Sequence, residues 1–242
     1  MVNYLSQVAR KGNKNRKEAI LKILDSLGVK YQIVGHATEN IVVSLNPSSS
    51  RLVIGAHYDA AREDIEAAND NAAACVILLN LIADLRDTSK SIDFVFFDKE
   101  ERGFQGSNEY IRLIGEKSIK ACINLDMCGL GHNLVLSYDT MGTSVFEEEP
   151  YKSIIKDCPN VMNFLPPGDV VSFAGFAIPY IFVVNSTDHD LTWYQAFASH
   201  SYKARTIDPD WAKTMHQSSD TVSSLDPSEM ELIYAYLAKR LA

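Results

Sequence analysis

The stretch "IDFVFFDKEERGFQGS", residues 92–107, decides how the chain is organised. Ile92, Phe94, Val95, Phe96 and Phe97 make an apolar run of strand length, and Asp98 to Gly103 read as the loop that leaves it. A run that is apolar at nearly every position suits a strand covered on both faces, as in a sheet sandwiched by helices. Two adjacent glutamates, Glu100 and Glu101, stand where that strand stops. An acidic pair on a loop ordinarily serves solvation, so its meaning depends on what the chain places at its other strand ends.

Working outward, strands are predicted at 31–35, 40–45, 51–57, 92–97, 121–125, 133–137 and 178–184. Helices are predicted at 15–27, 71–86, 104–115, 144–157 and 227–241. The last opens with "DPSE", where Asp226 suits the N-cap, Pro227 the first turn and Glu229 the third position. "NPSSS" (46–50) reads as a hairpin-type turn. Strands alternating with helices predict an α/β fold, a three-layer α/β/α sandwich with a mostly parallel mixed sheet in one domain over residues 1–242. Sites in such sheets form in the loops at the carboxyl ends of strands.

The totals narrow the function. Of the 242 residues 46% are hydrophobic, enough for a sizeable core, and the net charge of −8 argues against a nucleic-acid surface. No window reads as the roughly 18 to 20 apolar residues of a membrane span. The start, "MVNYLSQVARKGNKNRKEAILKIL", lacks the apolar core and cleavage site of a signal peptide and reads as an amphipathic first helix. Cys75, Cys122, Cys128 and Cys158 form no C-x-x-C pair and are expected as reduced core thiols, with the cytoplasm as the expected compartment.

The polar residues at strand ends repeat one theme. Strand 52–56 runs into "HYD", with His57 and Asp59; "AANDNAAA" places Asp70 before a helix; strand 121–125 ends in Asp126. His216 lies in "WAKTMHQSSDT" ahead of the final helix, where it and Asp220 could be ordinary loop residues. Each has a plain alternative, such as helix capping for Asp70 or a turn at Asp126. The plain readings must hold at five separate places together, which weakens them. Two imidazoles with several carboxylates are a donor set for zinc, with cobalt or manganese as substitutes. Five ligands, one a bridging carboxylate, match a two-metal hydrolytic site. Asp59 is placed to accept the other N–H of His57. There is no G-x-S-x-G elbow, no Walker A loop and no G-x-G-x-x-G.

"GAHYDA", "ANDNAA", "FFDKEERGFQGS", "INLDMCG" and "MHQSSDT" together resemble, in order and spacing, the M28 family of zinc aminopeptidases. The resemblance implies a phosphorylase/hydrolase-like fold holding two zinc ions. His57 and Asp126 would bind one ion and Glu101 and His216 the other, with Asp70 bridging and a cis peptide after it. Glu100 would be the general base, taking a proton as a metal-bridging hydroxide attacks the peptide carbonyl, and Asp59 would orient His57. The implied substrate is a peptide with a free N-terminus; self-association of an exopeptidase this small would restrict access to it.

The sequence also departs from that pattern. In "GDVVSF", Asp169 and Phe173 remain, but Val170 stands where the family commonly has histidine. The tyrosine that some members use to steady the tetrahedral intermediate is not evident in "VMNFLPPGD". The long aromatic stretch 186–211 is expected at the pocket mouth, with Trp193, Tyr194 and His200, along with Asp169, as candidate substrate contacts. Two alternatives share the motifs: a glutaminyl cyclase-like acyltransferase with one zinc on Asp70, Glu101 and His216, and a non-catalytic binding member of the fold.

Overall fold

The computed structural model describes residues 1–242. Its sheet has eight strands: β1 (Gln32–Val34), β2 (Asn40–Leu45), β3 (Arg51–His57), β4 (Ile92–Phe97), β5 (Ile119–Leu125), β6 (Asn133–Asp139), β7 (Asn160–Met162) and β8 (Tyr180–Ser186). Their spatial order is β1-β2-β4-β3-β5-β8-β6-β7. The centre, β4-β3-β5-β8, is parallel, while β1, β2 and β6 join antiparallel to their inner neighbours. All six residues of β4 are buried, and the side-chain alternation of a strand divides them between two cores. Ile92, Phe94 and Phe96 join one core; Val95 and Phe97 join the other.

Helices α1 (Leu5–Val8), α2 (Asn13–Ser26), α3 (Ala73–Leu85), α5 (Tyr151–Lys156) and α8 (Pro227–Leu241) contribute to the larger core. On the opposite face, α4 (Gln105–Ile114), α6 (Val170–Gly175) and α7 (Asp188–Ala198) cover the sheet. The result is the three-layer sandwich expected from the alternation of elements. Asp226 caps α8 by accepting the Ser228 N–H at 2.9 Å, with Pro227 opening the helix.

Four local readings change. The 46–50 turn is not a hairpin, because β4 lies between β2 and β3 and pairs with both. A segment read as polar turn residues cannot reveal that a later strand inserts between its neighbours. The helix expected at 144–157 is broken into a short turn at Val145–Glu147 and α5, with Pro150 between them. Proline offers no N–H and disfavours helical backbone in the residue before it. Ala68–Leu85 is long and apolar enough for a membrane span by composition, contrary to the window reading, but 89% of it is buried in the fold. It is the helix that carries the larger core. Strand β7 and helices α6 and α7 had no counterpart in the sequence reading.

Candidate functional site

Register brings the carboxyl ends of three parallel strands side by side. His57, the last residue of β3, pairs with Phe97, the last residue of β4, and β5 on the other side of β3 ends just before Asp126. Gly55 makes this close packing feasible, since a Cβ there would lie 2.3 Å from the Phe97 ring. His57, Asp70, Asp126, Glu101 and His216 converge at this edge in two groups, His57–Asp70–Asp126 and Asp70–Glu101–His216.

Asp70 belongs to both groups. Its Oδ1 lies 3.2 Å from His57 Nε2, and its Oδ2 lies 3.4 Å from His216 Nε2. Asp126 Oδ1 is 3.4 Å from His57 Nε2, and Glu101 Oε2 is 2.9 Å from His216 Nε2. Zinc–ligand bonds of about 2.0–2.1 Å at tetrahedral angles put donor atoms about 3.3 Å apart, the spacing seen here. Asp126 Oδ1 and Glu101 Oε1 are buried without a hydrogen-bond partner. Orphaned buried carboxylate oxygens are costly unless a cation meets them. On donor chemistry and spacing the residues fit a pair of divalent ions.

Two buried aspartates hold the loops that carry these side chains by their backbones. Asp59 accepts the Glu100 N–H at 3.0 Å and the Glu101 N–H at 3.3 Å on its two carboxylate oxygens. Asp220 accepts the Asn69 and Asp70 N–H groups at 2.7 and 3.0 Å. Asp59 thus does more than the sequence suggested. His57 Nδ1 lies 3.0 Å from the Asp59 backbone carbonyl, whereas the nearer carboxylate oxygen is 3.5 Å away. Asp220, read only as a loop residue, is fully buried; its spacing four residues after His216 was the one available signal.

The loops are also bent in a common way. Ala67, Lys99, Phe104, Met127 and His216 all have positive φ without being glycine, and each is one of the five converging residues or lies within three positions of one. Such conformations are uncommon and cluster at functional sites, held there by surrounding contacts. The Asp70–Asn71 peptide is cis. Asn71 is anchored to the end of β5, donating to the Leu125 carbonyl at 3.0 Å and accepting the Met127 N–H at 3.2 Å.

Burial, with neighbouring like charges adding to it, holds the Glu100, Asp169 and Asp220 carboxyls up. Burial pushes Glu100 up to about 9, with Asp126, Asp169 and Asp70 adding to the shift and His57 opposing it. Burial also raises Asp169 to about 7 and Asp220 to about 6. For His57, burial disfavours the charged ring, but Glu100 and Asp126 outweigh it and raise the imidazole well above its ordinary value.

A cavity of about 340 Å³ opens beside the cluster. Asp70, Glu100, Glu101, Asp126 and His216 line its polar side, and Phe182, Val184, Tyr194, Trp211 and Met215 are among its apolar walls. Of the four expected substrate contacts, only Tyr194 reaches this wall. Trp193 stands behind it, stacked on Phe197 at 4.8 Å and edge-on to Trp211 at 5.1 Å, with its indole N–H given to the Ala204 carbonyl. His200 packs on Phe164 away from the cavity. Asp169 is fully buried beneath the site with both carboxylate oxygens unpartnered. Phe182 and Val184, missed in the sequence, lie on one face near the carboxyl end of β8, which runs parallel to β5.

Known proteins share this architecture. A zinc-dependent exopeptidase from Parabacteroides distasonis superposes with a TM-score of 0.70 at 17% identity, over 98% of this chain and 94% of that one. The glutaminyl cyclase of Porphyromonas gingivalis gives 0.69 at 16% identity, over 98% and 95%. The LapA aminopeptidase of Legionella pneumophila gives 0.68 at 16% identity, over 97% of this chain and 67% of its own. The chain spans about half, 49%, of the zinc aminopeptidase of Bacillus subtilis. No curated protein matches the sequence. The profile of peptidase family M28 matches residues 40–240, which contain all five converging side chains, and the chain therefore belongs to peptidase family M28.

Proposed function

We propose that the chain is a two-zinc aminopeptidase that releases apolar residues from peptides with a free N-terminus. The observation that carries this reading is Asp70, which turns one carboxylate oxygen toward each of two histidines. His57, Asp70 and Asp126 would hold one ion, and Asp70, Glu101 and His216 the other. An ion pair so held supplies Lewis-acid activation of water and of the scissile carbonyl.

Glu100 belongs to neither group of ligands but lines the same cavity. With its backbone N–H tied to Asp59, it is fixed in place while its carboxylate stays free. Two cations held this close would draw its raised pKa back down, and as a carboxylate it would take a proton from the attacking water and give it to the leaving amine nitrogen. Phe182, Val184, Tyr194, Trp211 and Met215 exclude water from one side and accept an apolar N-terminal side chain. The carboxylates opposite attract the free α-amine. The four cysteines are free and buried, which suits the reducing compartment proposed for the enzyme, the cytoplasm.

The test pairs metal content with turnover. Two zinc ions per chain and release of leucine or phenylalanine from short peptides are expected. Glu100→Gln should keep both ions and lose about 10²- to 10⁴-fold in kcat, the usual contribution of a positioned general base. One zinc per chain with ammonia released from peptides bearing N-terminal glutamine would replace this reading with the cyclase reading. That reaction needs only Asp70, Glu101 and His216. Folded, metal-loaded protein inactive on a broad peptide set would leave a binding role.

A further inference from the structure

We infer that Arg16 is a positioning residue for the metal centre, one that sets the distance between the arm carrying His57 and the arm carrying Asp70. The inference rests on the two-ion reading above. Arg16 lies in α2, outside the segment 40–240 that matches the family. It is fully buried, the largest side chain so enclosed, and no carboxylate lies within ion-pair distance of it. Its donors go to backbone carbonyls instead. Nε donates to Tyr58 at 2.6 Å, Nη1 to Glu66 at 2.5 Å, and both terminal nitrogens to Ala67 at 3.3 Å.

Those carbonyls belong to the two ends of one irregular segment. Tyr58 follows His57 directly, and Ala67 is the left-handed residue three before Asp70. Residues 58–67 between them contain no helix or strand. One rigid guanidinium fork therefore spans both arms, which the flexible, point-charge ammonium of lysine cannot do. Asn13, at the start of α2, grips the same segment, accepting the Ala60 N–H at 2.8 Å and donating to the Ala60 carbonyl at 3.4 Å. Together with the backbone clamps of Asp59 and Asp220, this fixes the ligand loops from a third side.

The test separates positioning from charge, because the two predict opposite signs. Removing a buried cation near two bound cations relieves repulsion and by itself tightens metal binding. Loosening the arms weakens it at His57–Asp70–Asp126. Zinc affinities of both positions are measured by chelator competition, with folding followed by circular dichroism. Arg16→Lys is expected to weaken one of the two binding steps about tenfold and leave the other within about threefold. Asn13→Ala, which leaves the buried guanidinium in place, should weaken the same step about threefold. Wild-type affinities in folded Arg16→Lys, tighter binding in folded Arg16→Met, or equal weakening of both steps would overturn the inference. If the Arg16 variants do not fold, wild-type affinities in Asn13→Ala overturn it and selective weakening supports it. Wild-type protein that binds fewer than two zinc ions refutes the two-ion reading instead, whatever the variants do.

Discussion

The two groups of side chains proposed to hold the ions share Asp70 but differ in their access to solvent. The His57 side chain is 1% exposed and Asp126 12%, whereas the His216 side chain is 41% exposed. His57 ends a central strand and Asp126 follows another; Glu101 also follows a central strand and is 8% exposed, so His216 alone sets the outer group apart. His216 comes from a loop, in a left-handed conformation, at the cavity wall. One position is prepared by the sheet, and the other is completed by a late loop. An ion at the inner position should exchange slowly and one at the outer position quickly.

The largest effect would break the comparison altogether. Asp70→Ala removes the carboxylate common to both groups and should empty both positions. Loss of charge stabilisation worth several kcal/mol corresponds to about 10³-fold or more in kcat/KM. Elemental analysis showing one retained ion would mean that the groups are more independent than their shared carboxylate implies.

A second substitution sharpens it. His216→Ala should leave a folded protein with one ion per chain and activity down about 10²-fold, an order typical of losing one preorganised electrostatic group. His57→Ala, made in a buried strand, should also lower the melting temperature, because it opens space among packed residues. Equal stability of the two variants would contradict the division into a buried inner and an accessible outer position.

A smaller effect concerns the apolar wall rather than the ions. Trp211→Ala should raise KM for phenylalanyl or leucyl substrates about tenfold, within the range that apolar pocket contacts contribute. Metal content should not change. A fall in kcat with KM constant would move Trp211 from substrate contact to the chemistry.

The smallest effect is a control on acid stripping of the ions, which must be separated from acid loss of the fold. The Glu109 carboxylate accepts the Thr38 hydroxyl and the backbone N–H groups of His36, Ala37 and Thr38. Those bonds, the Thr38 hydroxyl foremost, hold its folded pKa down at about 2. A carboxyl whose pKa is lowered by folding stabilises the fold above its unfolded value, near 4.3, and loses that contribution as pH falls toward the folded value. Glu109→Gln should therefore lower the melting temperature slightly at pH 7, with the difference from wild type shrinking between about pH 4.3 and pH 2. A difference constant over that range would exclude Glu109 as a source of acid sensitivity.

Much of the architecture was readable from local pattern. The runs at 92–97 and 51–57 are apolar at most positions on both faces, as expected of strands covered on both sides. The broken helix at Pro150 and the inserted strand β4 show where local pattern stops. Pairing between strands depends on residues far apart in the chain, and nothing in "NPSSS" records which strand will come between its neighbours. Trp193 and His200 illustrate the same limit at the site. An aromatic stretch near a pocket contains residues that face it and residues that support those residues, and composition does not distinguish them.

By itself, the sequence determined which residue types stand at the ends of which strands, since elements and their termini follow from short-range periodicity and punctuation. It also determined the surplus of carboxylates at those ends, with Glu100 beside Glu101. The tertiary structure alone decided that Asp70 turns an oxygen to each histidine, that Asp59 and Asp220 hold backbone amides, and that Arg16 ties together two arms from a helix far away. The Arg16–Tyr58 and Asp220–Asn69 contacts, for example, join residues 42 and 151 positions apart. Only the folded sheet brings such residues within hydrogen-bond distance, because the register between strands sets which loops meet.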